Sequence, residues 1–208
     1  MKNSIYILSF SILLAACQKS ANSVGTTVTP VTQTPVTQTP VASAPTIANQ
    51  LKFSGNGFIH NGIYPKLYTC DSLGISPGLQ WSNAPAATTS YAITMYTIPP
   101  TGDKHVYIVL YNIPATISSI PDDSKSIGVF GINTVNGKTT YTPPCSQGPG
   151  AKVYVLTMYA LNAAPTITVP NTQVTMDILL AGMKNKILDS AVMSVTLSLI
   201  HISEPTRH

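Results

Sequence analysis

Tyr68-Thr69-Cys70-Asp71, followed by Ser76-Pro77, Leu79 and Trp81, opens the part of the chain whose reading decides the fold. Three later stretches belong with it: Tyr111-Asn112-Ile113-Pro114, Tyr141-Thr142-Pro143-Pro144-Cys145 and Tyr159-Ala160-Leu161-Asn162. Short β-rich runs lie around them, at Tyr91 to Thr97, Val106 to Tyr111, Lys152 to Leu161, Thr166 to Val169 and Ala191 to Leu197. Turn chemistry separates the runs at Pro99-Pro100, Asp122-Asp123, Asn136-Gly137 and Gly148-Pro149-Gly150. One stretch, Thr175 to Lys186, reads as helix. Its Met176, Leu179, Leu180 and Met183 fall at i, i+3, i+4 and i+7, on one face. Short strands divided by loops predict an all-β antiparallel β-sandwich with small peripheral helices. Trp81 is expected in its core.

The span 49–198 is long enough for one domain with a real core. From residue 50 to 198 it carries eight lysines, no arginines, six aspartates and no glutamates. That small positive balance forms no basic stripe, so nucleic acid is not an expected partner. Charged residues make up 9% of the whole chain, against about a quarter in ordinary soluble domains. Thr, Ser, Asn and Tyr supply the polar surface instead, which suits an exported, strand-rich domain.

The ends of the chain are read apart from the fold. Residues 1–16 look like a signal peptide: Lys2, then an apolar run from Ile5 to Leu14 that is too short to span a bilayer. The run closes in Leu14-Ala15-Ala16-Cys17, similar to a bacterial lipobox, which implies cleavage before Cys17 and its lipidation. Acyl chains there would anchor the protein in a membrane, at about 0.8 kcal/mol per buried methylene. Gln18 after the cysteine favours the outer membrane, facing the periplasm or the cell surface, if the host is Gram-negative. Residues 17–48 then form a spacer, with Thr-Pro-Val-Thr-Gln repeats from Thr29 to Pro40. Regular prolines hold it extended, and at ~3.1 Å per residue it would reach on the order of 90 Å. Residues 199–208 resemble a translated sequencing-adaptor scar, so His201 and His208 are set aside as site residues.

In order and spacing, the four motif stretches resemble the phosphatidylethanolamine-binding protein family, in its bacterial Raf-kinase-inhibitor-like branch. The resemblance implies a β-sandwich with Greek-key connections and an anion pocket at the sandwich edge. Three segments wall that pocket in the family. An Asp-Pro-Asp-Ala-Pro motif falls here on Thr97-Ile98-Pro99-Pro100, so Thr97 stands for the leading aspartate. A histidine five residues before the motif asparagine falls on Tyr107. His105 lies two residues further back, where strand alternation returns it to the same face. A His-Arg-Tyr motif falls on Lys152-Val153-Tyr154, with only the tyrosine kept. The scaffold therefore survives and the polar triad does not. Either the pocket is vestigial, leaving a structural or interaction module, or Thr97, Tyr107, Lys152 and Tyr154 rebuild a weak site for a small anion or phosphate ester.

With Cys17 assigned to lipid, Cys70 and Cys145 remain as an even pair in an oxidising compartment. The family places their two segments close together, which implies a disulfide; two buried thiols are the alternative. No metal site or cofactor is expected, since the cysteines lack histidines at ligand spacing. Asp71 is expected to cap its turn through a side-chain oxygen, and Asp122-Asp123 to lie solvated in a loop. No Gly-x-Ser-x-Gly, His-Glu-x-x-His or phosphate-loop motif occurs, so catalysis is not expected. The long segment from Ile117 to Phe130 offers a second reading: inhibition or regulation of an envelope protease or other hydrolase through pocket-edge loops.

Overall fold

The computed structural model describes residues 50–100, 102–145 and 150–198. Two sheets organise them. The smaller comprises β1 (Lys52–Gly55), β3 (Leu79–Ser82) and β6 (Ser119–Ile120), in the order β1-β3-β6. The larger comprises β2 (Gly62–Ile63), β4 (Ser90–Thr97), β5 (His105–Pro114), β7 (Val129–Phe130), β8 (Lys152–Leu161) and β9 (Ile187–Leu197). Its order is β2-β9-β8-β4-β5-β7, antiparallel except where β2 runs parallel to β9.

The core lies between the sheets. Leu79 and Trp81 of the small sheet meet Tyr91, Ile93, Met95, Ile108, Leu156, Met158, Met193 and Val195 of the large one in one buried cluster. Trp81 is 5% exposed and its indole packs edge-on to Tyr91 at 5.2 Å. Alternation along β3 is strict: Leu79 and Trp81 turn inward while Gln80 and Ser82 face solvent.

The outer face of the large sheet is covered by α1 (Met176–Gly182). Val174, Met176, Leu179 and Met183 are buried there against Ala92, Val106, Val109, Tyr111 and Leu161. Each such side chain contributes about 1.5–3 kcal/mol on burial. Thr175 caps the helix, its Oγ1 accepting from the Ile178 amide at 3.2 Å. The helix is shorter than the sequence periodicity predicts. It stops at Gly182, where an added Cβ would meet the Thr166 carbonyl at 2.6 Å, and the apolar period runs on into a turn. Thr166 to Val169, expected as a strand, is not one. Its Thr166 amide bonds to the Gly182 carbonyl and so joins the helix end rather than a sheet.

The Tyr111-Asn112-Ile113-Pro114 motif has a backbone explanation. Tyr91 pairs with Ile113 and Ile93 with Leu110, so β5 carries an extra residue at this point. Asn112 takes φ 55°, a left-handed conformation that asparagine tolerates better than most residues. The bulge sends Tyr111 to the helix side and Ile113 into the core between the sheets.

Candidate functional site

Three strand ends build the site. β4 ends at Thr97, β5 begins at His105 and β8 begins at Lys152. Thr97 and His105 are directly paired, and Tyr96 pairs with Val155, which brings Thr97 beside Tyr154. The three segments inferred from the sequence therefore converge at one end of the large sheet.

What they present there is phenol rather than charge. Tyr107 and Tyr154 are 5% and 1% exposed, with rings edge-to-face at 5.3 Å. Tyr64 stacks on Tyr154 at 6.2 Å and in turn meets Phe58 at 5.3 Å and Tyr68 at 5.8 Å. Such aromatic pairs contribute about 0.5–1.5 kcal/mol each beyond their burial. Tyr141 donates its hydroxyl hydrogen to the Tyr68 carbonyl. Having one hydrogen, it must then accept from Tyr64, whose hydroxyl lies 3.0 Å away.

Of the remaining polar groups, Thr97 is engaged, Lys152 half-buried and His105 exposed. Thr97 Oγ1 donates to the Val153 carbonyl at 2.6 Å, which commits its single hydrogen to the scaffold. Lys152 is half-buried and sits two residues before Tyr154, on the same side of β8. His105 is exposed and its side chain makes no hydrogen bond among the described residues. The bulge in β5 lies just beyond it, and alternation through Val106 keeps His105 on the same side of the strand as Tyr107. Met95 pairs with Ile108 and Tyr96 with Val106, so Tyr107 is an inserted residue. Both Tyr107 and Ile108 consequently join the core between the sheets, and Val106 joins the helix side.

Burial sets the acidity of these phenols. It raises Tyr64 and Tyr141 well above the usual tyrosine range. Tyr154 is raised by burial and, further, by Tyr107. Tyr107 is also raised by burial, with the Tyr154 phenol opposing in part. Tyr68 is pushed up to about 12, first by burial and then by the Asp122 carboxylate that accepts its hydrogen. All five are neutral at ordinary pH, so the cluster offers hydroxyls without charge.

Two residues outside the expected set organise the walls. Asp122 accepts from Tyr68 Oη at 2.9 Å, from the Gly78 amide at 2.5 Å and from Asn56 Nδ2 at 3.0 Å. It is therefore a structural pin, which corrects the expectation of a solvated pair. Only Asp123 fits that expectation, in an exposed ion pair with Lys125 at 3.3 Å. Asn133, 1% exposed, shapes the loop leading to Tyr141. Its Nδ2 donates to the carbonyls of Lys138 and Thr140, and its Oδ1 accepts from the amides of Val135 and Asn136. The turn at Asp71 is also held otherwise than expected: Asp71 is exposed, and Thr69 Oγ1 accepts from its amide at 3.3 Å. The signal for Tyr68 and Tyr141 was present in the motif stretches. Tyr64 and Asp122 carried none that spacing could reveal.

Cys70 and Cys145 come together beside this cluster, with Cα atoms 5.3 Å apart, inside the range a disulfide needs. The Cys70 amide donates to the Pro144 carbonyl at 3.1 Å. Gly74, at φ 64°, lets the turn press on Pro143, whose Cγ would lie 3.2 Å from an added Cβ. Cys17, the signal and spacer segments and the tail from Leu199 lie outside the described residues.

The sequence profile described as "Phosphatidylethanolamine-binding protein" covers residues 54–198, the span that builds both sheets. This chain belongs to the phosphatidylethanolamine-binding protein family. A UPF0098 protein of Chlamydia muridarum is 29% identical over 153 residues, 70% of this chain and 97% of its own length. The UPF0098 protein YbhB of Escherichia coli is 30% identical over 123 residues, 56% of this chain and 77% of its own length. Among solved structures, a phosphatidylethanolamine-binding protein homolog of Chlamydia trachomatis, CT736, superposes with a TM-score of 0.66 at 26% identity. That superposition covers 73% of this chain and 99% of CT736. Escherichia coli YbcL shares the fold, with a TM-score of 0.64 at 21% identity over 72% of this chain and 99% of its own. Within the phosphatidylethanolamine-binding protein fold, this member carries Thr97, Tyr107 and Lys152 at the three positions discussed above.

Proposed function

We propose that this chain is a non-catalytic binding member of the family, held at the cell envelope by lipid on Cys17, with its anion pocket altered so that phosphate esters bind weakly or not at all. The edge-to-face contact of Tyr107 with Tyr154 carries this reading. It puts two buried, neutral phenols where the family resemblance implies an imidazole beside a phenol. Thr97 adds no carboxylate and no spare hydrogen. Lys152 brings the one ammonium in the candidate set, and a flexible ammonium selects little by geometry. Titration calorimetry with phosphoethanolamine tests the proposal. The expected dissociation constant is in the millimolar range, about 4 kcal/mol, weakening further with salt and with Lys152→Ala. Micromolar binding indifferent to Lys152→Ala would overturn it. Anchoring is tested apart, by mass spectrometry of the mature N-terminus: Cys17 carries acyl chains, and Cys17→Ser abolishes processing or releases a soluble product.

A second reading, regulation of an envelope hydrolase through the loops, draws support from one feature. Leu73, 73% exposed, stands at a cleft of about 330 Å³ that it shares with Ile75, Lys125, Phe130 and Tyr141. Loss of inhibition on Leu73→Asp, in an assay against purified envelope proteases, separates this reading from the first.

A further inference from the structure

The Cys70–Cys145 bridge and the tyrosine cluster share two segments of chain. Cys70 lies two residues beyond Tyr68, and Cys145 four beyond Tyr141. Tyr141 donates its hydroxyl hydrogen to the Tyr68 carbonyl and lies 3.0 Å, oxygen to oxygen, from the Tyr64 hydroxyl. The bond therefore fastens the strip of chain that carries Tyr141 onto the turn that carries Tyr68. Both cysteines are exposed, so a thiolate can reach either sulfur.

The two ends of this fastening are held unequally. On the Cys70 side the turn closes on itself: the amides of Tyr68, Thr69 and Gly74 donate to the carbonyls of Pro65, Lys66 and Leu67. Tyr68 Oη is fixed in addition by Asp122 and the Asn56 carbonyl. On the Cys145 side, Pro143 and Pro144 carry no amide hydrogen. Among the described residues, the main-chain bonds of 142–145 run from the Thr142 amide to the Tyr107 carbonyl at 3.2 Å and from the Cys70 amide to the Pro144 carbonyl at 3.1 Å. The Thr142 hydroxyl is buried with no protein partner, which disfavours the closed arrangement, since opening returns it to water. Few bonds and an unsatisfied buried hydroxyl mark a segment of low local stability. The cysteines stand 75 residues apart in the chain, so the bond is a strong constraint on this contact.

We infer that the Cys70–Cys145 bond is a redox-sensitive clasp: its reduction by a dithiol releases residues 142–145 and opens the Tyr141 side of the tyrosine cluster to solvent, while both sheets stay folded. One thiolate of the dithiol attacks a sulfur of the bond and the other cysteine leaves as thiolate. The second sulfur of the dithiol then displaces the mixed disulfide. Two electrons and two protons pass to the protein, which keeps two thiols, and the dithiol becomes a disulfide. The inference rests on the pairing of the two cysteines, which thiol counting before reduction checks separately, and is independent of how tightly the pocket holds phosphate esters.

The test is amide hydrogen exchange by NMR on the ¹⁵N-labelled full chain, oxidised and then reduced with dithiothreitol without denaturant. Labelling after reduction should find both Cys70 and Cys145 as thiols. In the reduced protein the Cys70 and Thr142 amides should exchange at least about tenfold faster than those of β8 and β9, and without dependence on low urea, the signature of a local opening that exposes little surface. Oxidised glutathione should restore their slow exchange. In Cys70→Ser/Cys145→Ser, Tyr141 should become open to acetylation by N-acetylimidazole, from which the oxidised protein shields it. A bond that resists dithiothreitol in the folded protein would overturn the inference. So would Cys70 and Thr142 amides that exchange in the reduced protein at the rate and urea dependence of β8 and β9, since the bond would then brace the whole fold. Unfolding of the reduced chain, or a Tyr141 still shielded in the double variant, would overturn it as well.

Discussion

Tyr107 and Tyr154 meet edge-to-face at 5.3 Å, and both are buried at the end of the large sheet. Tyr107 reaches this place because a bulge in β5 inserts it between residues paired with Met95 and Tyr96. Replacing it by a smaller, basic ring should reopen the wall. Tyr107→His is expected to tighten phosphoethanolamine binding about tenfold, a gain of about 1.4 kcal/mol in binding, measured by calorimetry against the wild type. Unchanged affinity would show that the rest of the cluster closes the site by itself.

Asp122 and Asp123 are neighbours with opposite roles. Asp122→Ala removes the acceptor of the Gly78 amide and leaves Tyr68 Oη only the Asn56 carbonyl, and should cost about 2–4 kcal/mol in urea unfolding. Asp123→Ala breaks one exposed pair with Lys125 and should cost less than about 0.5 kcal/mol. Equal effects would contradict the assignment of Asp122 as the pin.

Cys70 and Cys145 should be bonded to each other under oxidising conditions. The bridge would close a loop of 75 residues, worth on the order of 4 kcal/mol in the chain-entropy description. Reduction should lower the melting temperature clearly, and thiol labelling of the native, non-reduced chain should find neither cysteine. Two reactive thiols would refute the pairing.

Stability should fall in alkali. Burial raises the folded-state pKa of Tyr64, Tyr68, Tyr107, Tyr141 and Tyr154 above the ordinary 10.0. A raised pKa means the folded state holds the phenolic proton more tightly than the unfolded chain. The resulting stability is complete below about pH 10, where unfolded tyrosines begin to ionise, and is lost progressively above it. For Tyr68 the loss runs up to about pH 12. Urea midpoints should therefore be level from pH 8 to about 9.5 and decline beyond. Absorbance at the phenolate band should show these tyrosines ionising together with unfolding, and early, independent titration of all ten tyrosines would be inconsistent with the cluster.

Periodicity alone located β4 and β8 to within a residue and the apolar face of α1, because each depends on neighbours a few residues away along the chain. The motif spacing likewise brought Thr97, Tyr107, Lys152 and Tyr154 to one end of one sheet. What local pattern could not supply was parity after a bulge. One inserted residue at Tyr107 puts Tyr107 and Ile108 on the same face, and a left-handed Asn112 reverses the alternation between Tyr111 and Ile113. Nor could spacing reveal contacts made across the fold. Asp122 reads as a turn aspartate until Asn56, Tyr68 and Gly78, 44 to 66 residues away, converge on its carboxylate. Thr166 to Val169 reads as a strand until the end of α1 takes its amide. Local propensity set the elements; the tertiary structure decided which hydrogen went to which acceptor, and with that whether a polar residue faces a ligand or holds the frame.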